Sequence, residues 1–287
     1  SDVYKRQILY FTSKDGVNFE FQQIALSPGK DYDKYGCEDP RLNKVENKIF
    51  ITYVAQSRPV KQNEFARTVL AQVNFKQRLF KKLCLFAPES ADDRDILIFP
   101  EKFKESSNSY WLIMHRPFNW QNRFLIKKRN KFLVKRGKYK EKNKNLVNLE
   151  EELQEKLRNK ILSFPSKPSL WLCKTKSLVR PKFFDHQLLF EPLWDKAGPG
   201  AQPLKTARGW LLIYHEAKLK EKMQVSFKGK YYACFTCLLD LKNPSKLQSK
   251  RKLLFKPELD WELKGDVNKV VFPTAALIQA NKLYVYY

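Results

Sequence analysis

The chain has 287 residues, 43% of them hydrophobic and 14% aromatic, enough to bury a core in one large or two ordinary domains. No apolar run approaches the roughly 20 residues of a membrane-spanning helix and no charged–apolar–small signal segment opens the chain, so a cytoplasmic protein with no membrane partner is expected. The formal net charge of +25 invites a nucleic-acid reading. However, fourteen Lys/Arg against five Glu fall between Arg123 and Lys160, so much of the excess sits in one segment and no nucleic-acid partner is expected.

In chain order, residues 7–12 read as a strand, and Ser13-Lys14-Asp15-Gly16 as the turn of a hairpin. Gly36-Cys37-Glu38-Asp39-Pro40-Arg41 reads as a loop feeding a strand over 48–55, the kind of place where catalytic groups are presented. Pro40 restricts the Asp39 backbone. Arg41 is close enough to hold one carboxylate ionised and leave the other to move protons, although from these residues alone an Asp–Arg pair that merely caps a loop is the better reading. The five cysteines, Cys37, Cys84, Cys173, Cys234 and Cys237, are too scattered for a disulfide framework and are expected to be reduced. Cys234 and Cys237 have the spacing of half a zinc knuckle, but no second pair follows, so no metal is expected.

Aromatic strand runs recur at 49–55, 110–115, 210–215 and 283–287. Leucine-rich runs ending in proline follow out of phase at 24–28, 83–88, 188–192 and 253–257. Both series have a period of about 60 residues, stretched by roughly 40 at the lysine-rich segment. That segment, 120–165, is therefore read as an insertion. It is expected to hold one amphipathic helix, in which Leu149, Leu153, Leu157 and Ile161 follow a capping-box-like Asn148 and Glu151. A repeat of several short strands without regular helix predicts an all-β propeller or a similar radial array, with about four blades in a single domain over 1–287. Strands cut at both ends predict a fragment, incomplete at each end.

In a propeller, strand ends converge around the axis. Arg94, Arg116 of His115-Arg116-Pro117, Lys205 and His215 would then form a cationic pocket near Asp39, suited to phosphate because arginine supplies bidentate bonds and lysine a point charge. Taken singly, Arg94 reads as well as the partner of Asp92 or Asp95, and His215 as a satisfied strand histidine. Phe272 looks structural, or forms an aromatic rim for a sugar face.

Gly36-Cys37-Glu38-Asp39-Pro40-Arg41, Ile98-Phe99-Pro100-Glu101-Lys102, His115-Arg116-Pro117, Gly198-Pro199-Gly200 with Pro203-Leu204-Lys205-Thr206, the run 209–215, and Val270-Val271-Phe272-Pro273 occur in an order that resembles the β-mannoside phosphorylases of glycoside hydrolase family 130. The resemblance implies a five-bladed β-propeller in which inorganic phosphate attacks a terminal β-mannosyl unit. Inversion would yield α-mannose 1-phosphate and a shortened sugar, with no further cofactor. It implies Asp39 as general acid, its proton passing through a sugar hydroxyl, and Arg94, Arg116, Lys205 and His215 as phosphate ligands. Tyr231 and Tyr232 would line the site, and Glu38, Arg41 and Phe272 are placed on the substrate side. Because phosphate is already an anionic nucleophile, one carboxylic acid suffices where inverting hydrolysis needs two. The chain departs from the family pattern at Ala201-Gln202, at Glu216, in the insertion, and in lacking a first blade and a C-terminal continuation. A hydrolase of the same fold and an inactive sugar-binding propeller are the alternatives, and self-association is left open.

Overall fold

Strand β4 (Lys48–Gln56) sets the pattern for the molecule. Its successive residues Phe50 and Ile51 enter different apolar clusters, so the strand is buried on both faces, as in a sheet sandwiched between neighbours. The computed structural model describes residues 6–57, 66–88, 93–117, 165, 167–218 and 231–287. The expected insertion and its helix lie outside these, apart from residue 165.

A hairpin of β1 (Ile8–Thr12) and β2 (Glu20–Leu26) comes first. Its turn is as expected: Gly16 has φ +76°, and the Asp15 carboxylate accepts bonds from the Val17 and Asn18 amides. Next, β3 (Gly36–Val45), β4, β5 (Ala66–Asn74) and β6 (Leu79–Leu85) form an antiparallel meander. A second comprises β7 (Asp93–Glu105), β8 (Asn108–Pro117), β9 (Leu170–Thr175) and β10 (Phe183–Phe190). In the third, β11 (Lys196–Pro199) and β12 (Leu204–Thr206) both pair with β13 (Gly209–Lys218), followed by β14 (Tyr231–Leu239) and β15 (Lys252–Phe255). One helical turn, α1 (Asp260–Leu263), precedes a hairpin of β16 (Ala275–Gln279) and β17 (Lys282–Tyr286).

The meanders stack face to face. Ile8 and Leu26 pack with Ile51, Tyr53 and Val69 between the first hairpin and the first meander. Phe50 and Leu70 meet Ile96, Ile98 and Ile113 between the first and second. Phe99, Met114 and Leu172 meet Trp210, Tyr214 and Phe235 between the second and third. Ile213 and Cys234 close on Val271, with Ala276 and Val285 against them. Among the described residues the protein is thus all-β, with almost no helix. The described strands do not resolve into separate blades of a closed ring: a single parallel bridge, Arg67↔Asp93, merges the first two meanders into one sheet of eight strands.

The motif around Asp39 is not a loop, as the sequence suggested, but part of β3. The register shifts between Glu38 and Arg41, and Asp39 takes φ +48°. The opening strand of the second meander repeats the device: the register shifts between Arg94 and Leu97, and Asp95 has φ +58°. Bulges of this kind re-aim side chains, and non-glycine residues with positive φ cluster at functional positions.

Candidate active site

Asp95 is the centre of the charged cluster. It is 2% exposed. Its Oδ1 meets Arg41 Nη2 at 2.9 Å, and its Oδ2 accepts from Arg116 Nε at 2.9 Å and from Arg116 Nη2. His215 Nε2 stands 3.8 Å from Oδ2. Burial alone would raise the Asp95 pKa, but the Arg116 and Arg41 guanidinium groups outweigh it and hold the carboxyl well below the usual range.

Arg41 links the meanders. Its Nε donates to Gly200 O at 3.0 Å, its Nη2 to Pro199 O at 3.4 Å, and its Nη1 to Asp39 O at 3.1 Å. It is 1% exposed and its guanidinium lies 5.2 Å from the Phe272 ring centre. The sequence placed Arg41 on the substrate side; the structure makes it an internal clamp whose carboxylate partner is Asp95. Glu38 is also engaged, accepting from Arg6 Nη1 at 2.9 Å and Gln56 Nε2 at 3.2 Å.

Asp39 keeps an open, solvent-facing side. The protein packed around its other sides desolvates the carboxyl and raises its pKa, with Asp95 and Glu38 adding to the rise and Arg41 and Arg94 opposing it. Two aspartates in equivalent bulges are thus pushed in opposite directions, Asp39 toward holding a proton and Asp95 toward ionisation. Such a split leaves Asp39 as the carboxyl better able to hold a proton for transfer.

His215 is fully buried, and neither ring nitrogen has a hydrogen-bond partner among the described residues. Burial, with Lys196, Arg116 and Arg41 nearby, lowers its pKa well below the ordinary value, against the pull of Asp95. It therefore serves as a neutral imidazole, where the sequence had counted it among the cations. An unsatisfied buried polar ring costs about 1–3 kcal/mol, a penalty that a ligand at this point would relieve. Phe272 packs on it with ring centres 4.2 Å apart, and Tyr232 at 5.8 Å.

The structure brings together Asp39, Arg94, Arg116, His215, Tyr232 and Phe272. Arg94 and Arg116 are directly opposed on β7 and β8, and the charge of Arg94 is felt at both Asp39 and Tyr232. Tyr231 and Lys205 do not join them. Tyr231 points the other way along β14 and packs on Trp194 with ring centres 5.3 Å apart, as neighbours on a strand must. Lys205 is half-exposed, pairs with Glu101 at 2.5 Å and lies 5.5 Å from the Trp210 ring centre. The lysine in reach is Lys196, missed from the sequence. Its Nζ donates to Tyr232 Oη at 3.2 Å, and its charge acts on Asp95 and His215. Period two on β11 would have found it, because Lys196 shares a face with Gly198.

Gly198 is required by close approach. A Cβ there would lie 2.5 Å from His215 Nε2 and 2.8 Å from Arg116 Nε. Gly198→Ala should therefore displace both groups and shift the His215 ring resonances, with little change in secondary structure. Imidazole NMR spectra recorded alongside circular dichroism check this. The departures at Gln202 and Glu216 are absorbed structurally. The Gln202 side chain donates to Ile98 O at 2.7 Å and accepts from Lys44 N at 3.0 Å, tying three meanders together. Buried Glu216 accepts from Trp194 N at 2.8 Å and Tyr214 Oη at 3.2 Å.

Comparison with known proteins places the chain among its relatives. The profile of glycoside hydrolase family 130, described as beta-1,4-mannooligosaccharide phosphorylase, matches residues 1–287. A 1,2-beta-oligomannan phosphorylase of Thermoanaerobacter sp. (strain X514) is 24% identical over 99% of this chain and 75% of its own length. A beta-1,2-mannobiose phosphorylase of the same organism is 27% identical over 97% and 72%. The solved beta-1,2-mannobiose phosphorylase of Listeria innocua, in complex with beta-1,2-mannobiose, superposes with a TM-score of 0.66 at 24% identity, covering 98% of this chain and 63% of that one. The chain thus spans between 63% and 75% of the lengths of these three relatives. With the profile matched from end to end around a cluster of this composition, the chain belongs to glycoside hydrolase family 130.

Proposed function

We propose that the protein is an inverting β-mannoside phosphorylase. The observation that carries this reading is the Asp95-centred cluster, in which buried, unpartnered His215 stands beside Arg116, with Lys196 and Arg94 in electrostatic reach. Inorganic phosphate bound there as co-substrate meets cationic donors and a neutral ring able to donate or accept a hydrogen bond. One phosphate oxygen forms a bond to the anomeric carbon as the glycosidic C–O bond breaks on the opposite face. The Asp39 proton reaches the leaving oxygen by way of a sugar hydroxyl. The products are α-mannose 1-phosphate and a sugar shortened by one unit, and Asp39 regains its proton from solvent.

An inverting hydrolase would require a second carboxylate free to activate water. Asp95 cannot serve, since both its oxygens are engaged by Arg41 and Arg116. We read the stacked meanders as blades of a five-bladed propeller in a single domain, supported by the resemblance to family structures and by the burial of each meander on both faces. We also place the protein in the cytoplasm, which accords with five cysteines that form no disulfide.

The purified protein incubated with β-1,2- and β-1,4-mannobiose should release mannose 1-phosphate only when phosphate is supplied. Free mannose formed equally well without phosphate would replace this reading with the hydrolase. Arg94, only partly buried, is a cleaner probe than Arg116, whose guanidinium also neutralises Asp95. Arg94→Ala should weaken apparent phosphate affinity by about 10- to 100-fold and leave any slow hydrolysis nearly unchanged, as measured by sugar release against phosphate concentration.

A further inference from the structure

We infer that the chain carries a transition-metal site, of the kind zinc occupies, built from His115, Cys173 and His186 and distinct from the phosphate pocket. The three donor atoms lie within 4.8 Å of one another. The chain has only three histidines, and two of them meet here with ring centres 5.6 Å apart. Imidazole and thiolate donors together select zinc or a similar borderline metal over magnesium or calcium.

Three features of the fold assemble the site. On β8 and β9, His115 lies directly opposite Trp171 and Ile113 opposite Cys173, so period two puts His115 and Cys173 on one face. On β10 the register shifts between Phe184 and Gln187, where Asp185 has φ +53°, and this bulge carries His186 alongside. His115 and Cys173 are fully buried while His186 is half-buried.

The surroundings are those of a ligating histidine. Asp93 Oδ2 lies 2.8 Å from His115 Nδ1, and a carboxylate on one ring nitrogen fixes the tautomer that leaves Nε2 as the lone-pair donor. Asp93 is itself wholly buried, and its Oδ1 has no hydrogen-bond partner among the described residues. On binding, Cys173 releases its proton to solvent. A divalent ion would then be balanced by one thiolate and one carboxylate. Arg116, next along β8, points to the opposite face and is occupied by Asp95, so its charge is directed away. The metal would pin three strands of the second meander, a structural role apart from the sugar chemistry.

Cobalt(II) provides the test, read without any assay of activity. Untagged protein, stripped with chelator and titrated with cobalt, should saturate at about one equivalent, with visible bands of a tetrahedral site and a near-ultraviolet thiolate band. Zinc should displace the cobalt and raise the thermal midpoint. Cys173→Ser should lose the thiolate band. His186→Ala, at the half-buried position and so the variant least able to disturb the core, should lose the tetrahedral bands. Asp93→Asn should weaken affinity by about 10- to 100-fold. Binding well below one equivalent in the parent protein, or a cobalt spectrum unchanged in His186→Ala, would overturn the site and leave only an adventitious ion.

Discussion

Asp39→Asn is expected to reduce phosphorolytic turnover by about 10²- to 10⁴-fold while leaving the protein at least as stable as the parent. The amide matches the carboxyl in shape, and asparagine tolerates positive φ better than most residues, so the bulge at φ +48° survives. Only the transferable proton is lost. The stability half follows from linkage. The folded-state pKa of Asp39 is raised, chiefly by desolvation, so any stability it contributes is present at low pH and lost as pH rises through that value. The melting temperature of Asp39→Asn relative to the parent should therefore climb as pH increases from about 4 toward neutrality. In the parent, activity should decline on the alkaline side of the same raised pKa, because the acid must be protonated to act. Retained turnover in Asp39→Asn would leave this residue the role of a strained bulge element in β3.

The all-β class was legible because the two strand series are real structural positions. Runs 49–55, 110–115 and 210–215 fall in β4, β8 and β13, the strands next to the opening strand of each meander, and the proline-ended runs reach into the outer strands β6, β10 and β15. Their residues alternate between two apolar clusters, and that burial on both faces is what made them conspicuous. The opening strands were harder. β3 and β7 carry Asp39-Pro40 and Asp95 at bulges, where alternation breaks and turn-like residues appear, so a strand imitates a loop. Pattern reading fails there because the geometry serves the site instead of the core.

At the site itself, the sequence located the charged residues but not their partners. Asp95 read as a surface companion of Arg94, because nothing local indicates that two arginines from separate strands, Arg41 and Arg116, converge on one carboxylate. Lys196 was not considered because no motif marks it, whereas Lys205, on β12, pairs with Glu101. Tyr231 and Tyr232 differ by one residue and hence by one face, a choice that required the register of β14. Charge at His215 was beyond the sequence altogether, since it depends on complete burial among other cations.

The largest effect on stability should come from Asp95→Ala. It leaves the guanidinium groups of Arg41 and Arg116, 1% and 2% exposed, buried without their shared counter-charge. Removing one partner of a buried pair typically costs about 3–5 kcal/mol, a large fraction of the 5–15 kcal/mol by which domains are stable. Denaturant titration should show this loss, and weakly folded or insoluble protein is the extreme of the same result. Combining Asp95→Ala with Arg116→Ala should recover part of it, with a coupling of about 0.5–3 kcal/mol for groups in direct contact. The pH dependence has the opposite sign to that of Asp39. Because the Asp95 pKa is held far down by the two arginines, its contribution is complete above the ordinary carboxylate range and disappears only as pH falls well below it. The difference in stability between parent and Asp95→Ala should therefore stay flat from neutral pH down to about 4. If that difference instead vanished near pH 4, Asp95 would be an ordinary solvated carboxylate, and the buried ion-pair centre of the charged cluster would not exist.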